Sequence, residues 1–424
     1  MIGLGACQGG ASNQPEVVTG AEAVPGSGRD AFAAEAGWVE FEDELRSKYA
    51  YLDRAGRDLA DEQLVRSRGV ALRTHKREEL RRVLHQTALT FTDPHLIVGP
   101  FTDDDFNIVM TSADLDVTVQ GDRFVVADVR AGSAADEAGV RPDWEVVAVD
   151  DVPIERAALL PFGEVLPGPS ARQLAYGATL AVNGRRGATE RQLTFRHPSG
   201  SEVTVSLANP RVQARAVGEM PPVTARRIGL DGTIGLVRFN NSLGSNETIT
   251  AFDVAIRELA DTKGLIIDLR NTPSGGNTEV GRSIIGHFVD EPRAYQMHTI
   301  PFLEREYGVP RRFVEYAMPR APRYDGPVVV LHGRWTGSMG VVIGLDAAAD
   351  VHMVGSDMGD LLGALWNVDL PASGARLDLG GEALFGPDGT PREDYVADTP
   401  LSSADRDVMG NDPALGAALR LLAG

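Results

Sequence analysis

The sequence predicts a multidomain α+β protein with an N-terminal helical domain, a β-rich middle domain and an α/β C-terminal domain. Three observations carry this. Apolar residues recur at three- and four-residue spacing from Ala31 to about Leu89. Short segments of alternating polarity separated by turn residues follow. From about Arg226, all-apolar strand segments alternate with helical ones, the pattern of a parallel or mixed sheet covered by helices.

At 424 residues the chain is too long for one compact core. Its 43% hydrophobic and 24% charged content is that of a folded protein, and no apolar run is long enough to span a bilayer. A net charge of −19 excludes nucleic acid as a partner, because phosphates need a basic face. The basic residues are nearly all Arg; the lysines are Lys48, Lys76 and Lys263. One cysteine, Cys7, excludes an internal disulfide and a cysteine-based metal site.

Residues 1–30 read as a signal remnant and tether. "LGAC" (Leu4 to Cys7) resembles the lipobox of bacterial lipoproteins, and "QGGASNQPEVVTGAEAVPGSGRD" behind it has a flexible linker's composition. Only six residues precede Cys7, fewer than a signal peptide needs. The expectation is membrane attachment through lipidated Cys7 in a bacterial envelope or periplasm, with a cytoplasmic location as the alternative.

Residues 31–100 form the helical domain, built on "VEFEDELRSKYAYL" and "KREELRRVLHQTAL". "TFTDPHLIVGPF" (Thr90 to Phe101) ends it, since the residue before a proline is biased to extended forms. Residues 101–212 carry the strands "LDVTV", "RFVVADV" and "EVVAVDD", with the short helix of "RAGSAADEAGVRP" between the last two. That order and spacing resemble a PDZ domain. "ARQLAYGATLAV" adds a helix and "RQLTFRHPSGSEVTVSL" a hairpin. Residues 213–424 begin with the strand "TIGLVRFN" and the helix "NETITAFDVAIRELAD". The strand "GLIIDLRN", the helix "TEVGRSIIGHFV", the strand "GPVVVLHG", the helix "SMGVVIGLDAAA" and the strand "DVHMVGSD" follow, and "PALGAALRLLAG" ends the chain as an amphipathic helix.

In such sheets chemistry gathers after the carboxyl ends of strands. Two loops qualify, "RNTPSGGN" and "GRWTGSMG". In the second, Gly337 and Gly340 flank Ser338, allowing close approach and positive φ. By itself Ser338 reads more readily as a helix N-cap than as a nucleophile. The paired Gly275 and Gly276 let backbone N–H groups face outward, as an oxyanion hole requires. Of eight histidines, His332 ends the strand before Ser338 and His95 stands in a break between domains; either could serve as base. Trp335 reads as a packed aromatic or a pocket wall.

These pieces resemble the C-terminal processing (tail-specific) serine peptidases, most closely their tricorn core protease branch. The resemblance rests on "YAYLD", "TDPH", the PDZ-like stretch, "GLIIDLRNTPSGG", "GPVVVLHGRWTGSMG" and "PREDYVADTPL", collinear from about Glu35. It implies a crotonase/ClpP-like catalytic core, a polypeptide substrate and hydrolysis through an acyl-enzyme, with no metal or cofactor. Ser338 matches the family nucleophile, and the backbone N–H of Met339 with Gly275 or Gly276 would form the oxyanion hole. One scheme of the group uses a Ser/Lys dyad, but no lysine follows Lys263. The other pairs Ser with His and Glu, which match His95 and Glu393. Pro94 stands where that branch has a Ser before the His, so the contact orienting His95 must be direct, through water, or through Thr92 or Asp93. The PDZ-like stretch lacks a Gly-x-Gly carboxylate loop and has Asp143-Trp144 where the family often has Gly-Asp, which puts peptide C-terminus binding in doubt. A non-catalytic peptide- or ligand-binding protein on the same scaffold is the alternative function.

Overall fold

The computed structural model describes residues 32–54, 57–229 and 231–423. Cys7 and the tether lie outside the described residues. The first helices are α1 (Ala34–Lys48), α2 (Arg57–Ala71) and α3 (Arg77–Leu89), followed by the short strand β1 (Ile97–Gly99).

The middle region contains β2 (Leu115–Gln120), β3 (Arg123–Val129), α4 (Ala134–Glu137), β4 (Glu145–Val149), β5 (Val152–Pro153) and α5 (Ile154–Ala157). It continues with α6 (Ala171–Asn183), β6 (Glu190–Arg196) and β7 (Glu202–Ala208). Its sheet runs β2-β3-β4-β6-β7, with β5 beside β4. Apolar faces of β2, β3, β4 and β6 close on Ala178, Ala181 and Val182 of α6 to make a separate core. Ser170 and Gln173 start α6 with a reciprocal capping box.

Next come α7 (Pro210–Gly218), which spans the expected boundary at 212/213, then β8 (Val223–Ile228) and β9 (Ile234–Phe239). These are followed by α8 (Glu247–Glu258), β10 (Gly264–Asp268), α9 (Thr278–Gly286), β11 (Arg293–Thr299), α10 (Pro301–Tyr307) and β12 (Arg312–Ala317). The chain continues through β13 (Val328–His332), α11 (Met339–Ala348), β14 (Val351–Gly355), β15 (Ala364–Leu370) and β16 (Ala375–Phe385). It ends with β17 (Thr399–Pro400) and α12 (Pro413–Ala423).

Two sheets organise this last region. The first has the order β17-β14-β13-β10-β9-β8 and is parallel except for the β8–β9 pair. Every residue of β10 and β13 is buried, which accounts for their unbroken apolar sequences. Ala414, Ala417 and Ala418 of α12 cover one face, against Ile266, Val329 and Leu331. Helices α8, α9 and α11 bury the other face.

The second sheet has the order β1-β16-β11-β12, with β15 also on β16. Sequence reasoning left its strands unassigned. Strands β12 and β15 alternate half-buried and exposed residues, and β11 carries polar Gln296 and His298 inward, so none of the three reads as an apolar run. The sheet has a functional consequence, because Ile97–Gly99 pair antiparallel with Arg376–Asp378 and draw the segment after His95 into the C-terminal half. Trp38, Phe41 and Leu84 share one core with Leu377, Leu379 and Ile284. The N-terminal helices therefore pack as part of the C-terminal body rather than around a core of their own.

Candidate active site

Adjacent parallel strands β10 and β13 release their loops side by side. The loops remain joined beyond the sheet by a bridge between Thr272 and Thr336, and Gly337 N donates to Thr272 O at 2.8 Å. A Cβ at Gly337 would lie 2.6 Å from Pro273 O, so only glycine permits this approach. Neither Gly337 nor Gly340 has positive φ, so close approach is the reason for both. At Gly340 the obstacle would be Gln296 Oε1, 2.7 Å away.

Ser338 occupies the N-cap position of α11 and is 3% exposed, but its side chain makes no capping bond. Its Oγ lies 2.8 Å from Thr272 Oγ1. Among the described residues no protein acceptor takes the N–H of Met339, Gly275 or Gly276. Met339 is the first residue of α11, where N–H groups have no partner within the helix. Three unpaired donors thus border the serine loop.

His95 follows the break at Pro94. A Cβ on Gly275 would lie 3.9 Å from His95 Nε2, so that nitrogen faces the glycine loop. Nδ1 is 3.1 Å from Leu362 O. A carbonyl only accepts, so Nδ1 carries the hydrogen and Nε2 keeps its lone pair. Burial pushes the imidazole down to about 4, against the opposing effect of Leu362 O and with help from the Arg392 charge. The ring is therefore neutral, with the tautomer a base facing the loops would need. No hydrogen bond joins it to Ser338.

Asp93 holds this arrangement from behind. Its Oδ1 accepts from His95 N at 2.9 Å and Leu362 N at 3.3 Å, and Tyr49 Oη donates to Oδ2 at 2.9 Å. One carboxyl group thus ties the imidazole's backbone to the residue whose carbonyl orients the ring. Complete burial lifts Asp93 to about 7 in spite of these donors.

Glu393 lies in a short turn, Arg392–Asp394, and is half-exposed. Its neighbour Arg392 is buried and donates to Leu361 O at 2.6 Å and Gly363 O at 3.2 Å, bracketing the residue that bonds His95. The carboxylate expected to orient His95 does not bond it here; the Leu362 carbonyl occupies that role. His332 is 2% exposed, with its ring centroid 5.6 Å from that of Tyr395 and its Nδ1 against Gly355. No hydrogen bond joins it to Ser338. Trp335 is fully buried in the core, not in a pocket wall.

Sequence reasoning missed Thr272, Leu362 and Arg392. The carbonyl of Leu362 acts through its backbone and leaves no side-chain signal. Thr272 lay inside a quoted motif, but a hydroxyl beside glycines does not show which way it points.

Comparison with known proteins bears on this arrangement directly. Residues 232–390, which contain both loops and Ser338, match Peptidase family S41. The part of the chain that carries the two loops is similar to a family S41 peptidase domain. The C-terminal processing family and the serine-peptidase class implied by the motifs are thereby borne out. Mature CPAF complexed with lactacystin shares the fold at a TM-score of 0.58 and 16% identity, over 92% of this chain and 97% of that one. The photosystem II D1 C-terminal processing protease does so at 0.56 and 17%, over the same shares. No curated protein sequence matches the chain.

Proposed function

We propose that the S41 domain hydrolyses peptide bonds with Ser338 as nucleophile, His95 as general base and the N–H groups of Met339 and Gly275 or Gly276 as the oxyanion hole. The observation that carries this is the side-by-side pair of loops. They place an uncapped serine hydroxyl among unpaired N–H donors, with a neutral imidazole facing the same glycine. In the reaction, Ser338 Oγ attacks the scissile carbonyl carbon while its proton passes to His95 Nε2. The carbonyl electrons move onto the oxygen held by the N–H groups. Collapse expels the amine, which takes the proton from His95. Water then repeats the sequence on the acyl-enzyme and releases the new carboxyl terminus.

In this reading Leu362 O fixes the tautomer and Glu393 acts through its charge on the imidazolium that forms. A half-exposed carboxylate is worth about 1 kcal/mol in that role, or about fivefold in rate. With reduced, unfolded casein as substrate, Ser338→Ala and His95→Gln are expected to lose about a thousandfold or more, and Glu393→Gln about fivefold. Full activity of Ser338→Ala would overturn the assignment. A thousandfold loss in Glu393→Gln would return the orienting role to Glu393. His332→Gln as the damaging histidine variant would replace His95 as base.

The middle sheet is read as a PDZ-like domain whose peptide edge is closed from within. Along the outer edge of β2, Asn183 Oδ1 accepts from Asp114 N at 2.8 Å and Thr179 Oγ1 accepts from Val117 N at 2.9 Å. Two of the donors an added strand would use are thus already bonded. We also propose envelope anchoring through Cys7, on the lipobox-like "LGAC" and the tether behind it. A radioactive fatty acid fed to bacteria expressing the chain should label it, and Cys7→Ala should abolish the label. Equal labelling of both would refute the anchor.

A further inference from the structure

Thr272 is fully buried, follows β10 and is not assigned a role in the reaction above. Its hydroxyl has two partners, Leu269 O at 2.7 Å and Ser338 Oγ at 2.8 Å. Each hydroxyl has one hydrogen to give. Leu269 O can only accept, and among the described residues Ser338 Oγ has no acceptor other than Thr272. One assignment uses both hydrogens: Thr272 donates to Leu269 O, and Ser338 donates to Thr272. Leu269 O also accepts from Thr336 Oγ1 at 3.1 Å, and Thr336 Oγ1 in turn accepts from Gly333 N at 3.0 Å. The hydroxyls of both loops thus form one chain that ends on the serine.

The proton that His95 must take is therefore directed at Thr272. We infer that Thr272 is a positioning residue that holds Ser338 in a resting orientation, so that the serine is armed only when its hydrogen bond passes from Thr272 to His95. The inference rests on Ser338 being the nucleophile. The exchange breaks no covalent bond; Ser338 rotates, and Thr272 keeps its bond to Leu269 O. The same short segment carries Gly275, which faces His95 Nε2, so Thr272 to Gly275 borders both the serine and its base. A substrate carbonyl arriving at the Gly275 N–H would load the segment that restrains the serine.

Thr272→Val keeps the side-chain shape and removes the acceptor; Thr272→Ser restores it. Crystal structures of the wild-type chain and Thr272→Val would read the Ser338 χ1 directly. The rate of inactivation by a fluorophosphonate, with kcat and KM on casein, would read its consequence. One ordinary hydrogen bond of restraint predicts a gain of about three- to tenfold in inactivation rate and kcat for Thr272→Val. KM should change little, and Thr272→Ser should return both rates toward wild type. A slower Thr272→Val rescued by Thr272→Ser would mean that Thr272 activates the serine, and overturns the inference. So does an unchanged Ser338 χ1, whatever the labelling. A serine that turns away from Thr272's position in the variant but labels in neither chain would refute the nucleophile and leave the restraint standing.

Discussion

His95 differs from an ordinary surface histidine in two ways that act together. Its Nδ1–H is fixed on Leu362 O, and burial pushes its pKa down to about 4. A general base works only when neutral, so the rate falls as pH drops through the folded pKa and is flat above it. The acidic limb of kcat/KM is therefore expected near pH 4, not near the unperturbed value of about 6.5. A pH profile on casein checks this, and half-maximal kcat/KM at pH 6 to 7 would place a more solvated imidazole in the free protein. Asp93 sits behind the same arrangement. Its elevated pKa marks a group held for geometry at an electrostatic cost, since it binds both His95 N and Leu362 N.

The elements that matter most are the ends of β10 and β13. Their position was legible from sequence, because two wholly buried strands dictate all-apolar runs and parallel strands deliver their following loops to one edge. Ser338 and the paired glycines could be found for that reason. The route bringing His95 to them was not legible. It depends on β1 pairing with β16 across about two thirds of the chain, and three residues of "IVG" carry too little pattern to announce a strand. Nor could the sequence reveal that Leu362 O replaces a carboxylate at Nδ1. The tight spot between the loops gives a prediction at this scale. Gly337→Ala places a Cβ 2.6 Å from Pro273 O and must push the loops apart. Such overpacking costs about 1–3 kcal/mol of stability, and a displacement approaching 1 Å costs about a hundredfold in rate. Denaturant unfolding and casein hydrolysis measure the two effects, and wild-type activity in the variant would show that the loop spacing is not critical.

Across the whole molecule, the middle sheet reaches both loops. Arg130 at the end of β3 donates to Asn271 Oδ1 at 2.7 Å, beside Thr272. Arg334, three residues before Gly337, pairs with Asp116 of β2 at 3.1 Å and donates to Met358 O at 2.9 Å. The same sheet is tied to the segment after β17, where Ser403 donates to Asp128 at 2.9 Å and Asp405 accepts from Ala131 N at 3.0 Å. Buried charged contacts of this kind fix relative position more than they add stability. With β1 pinned to β16, the segment after the N-terminal helices brings His95 to the glycine loop, the parallel sheet positions Ser338, and the middle sheet is bonded to both loops. Treatment of the folded chain with a fluorophosphonate, followed by peptide mass spectrometry, tests this assembly most directly. A single adduct on Ser338 is expected, lost in Ser338→Ala and formed about a hundredfold or more slower in His95→Gln. No adduct on Ser338, or one formed equally fast without His95, would contradict it.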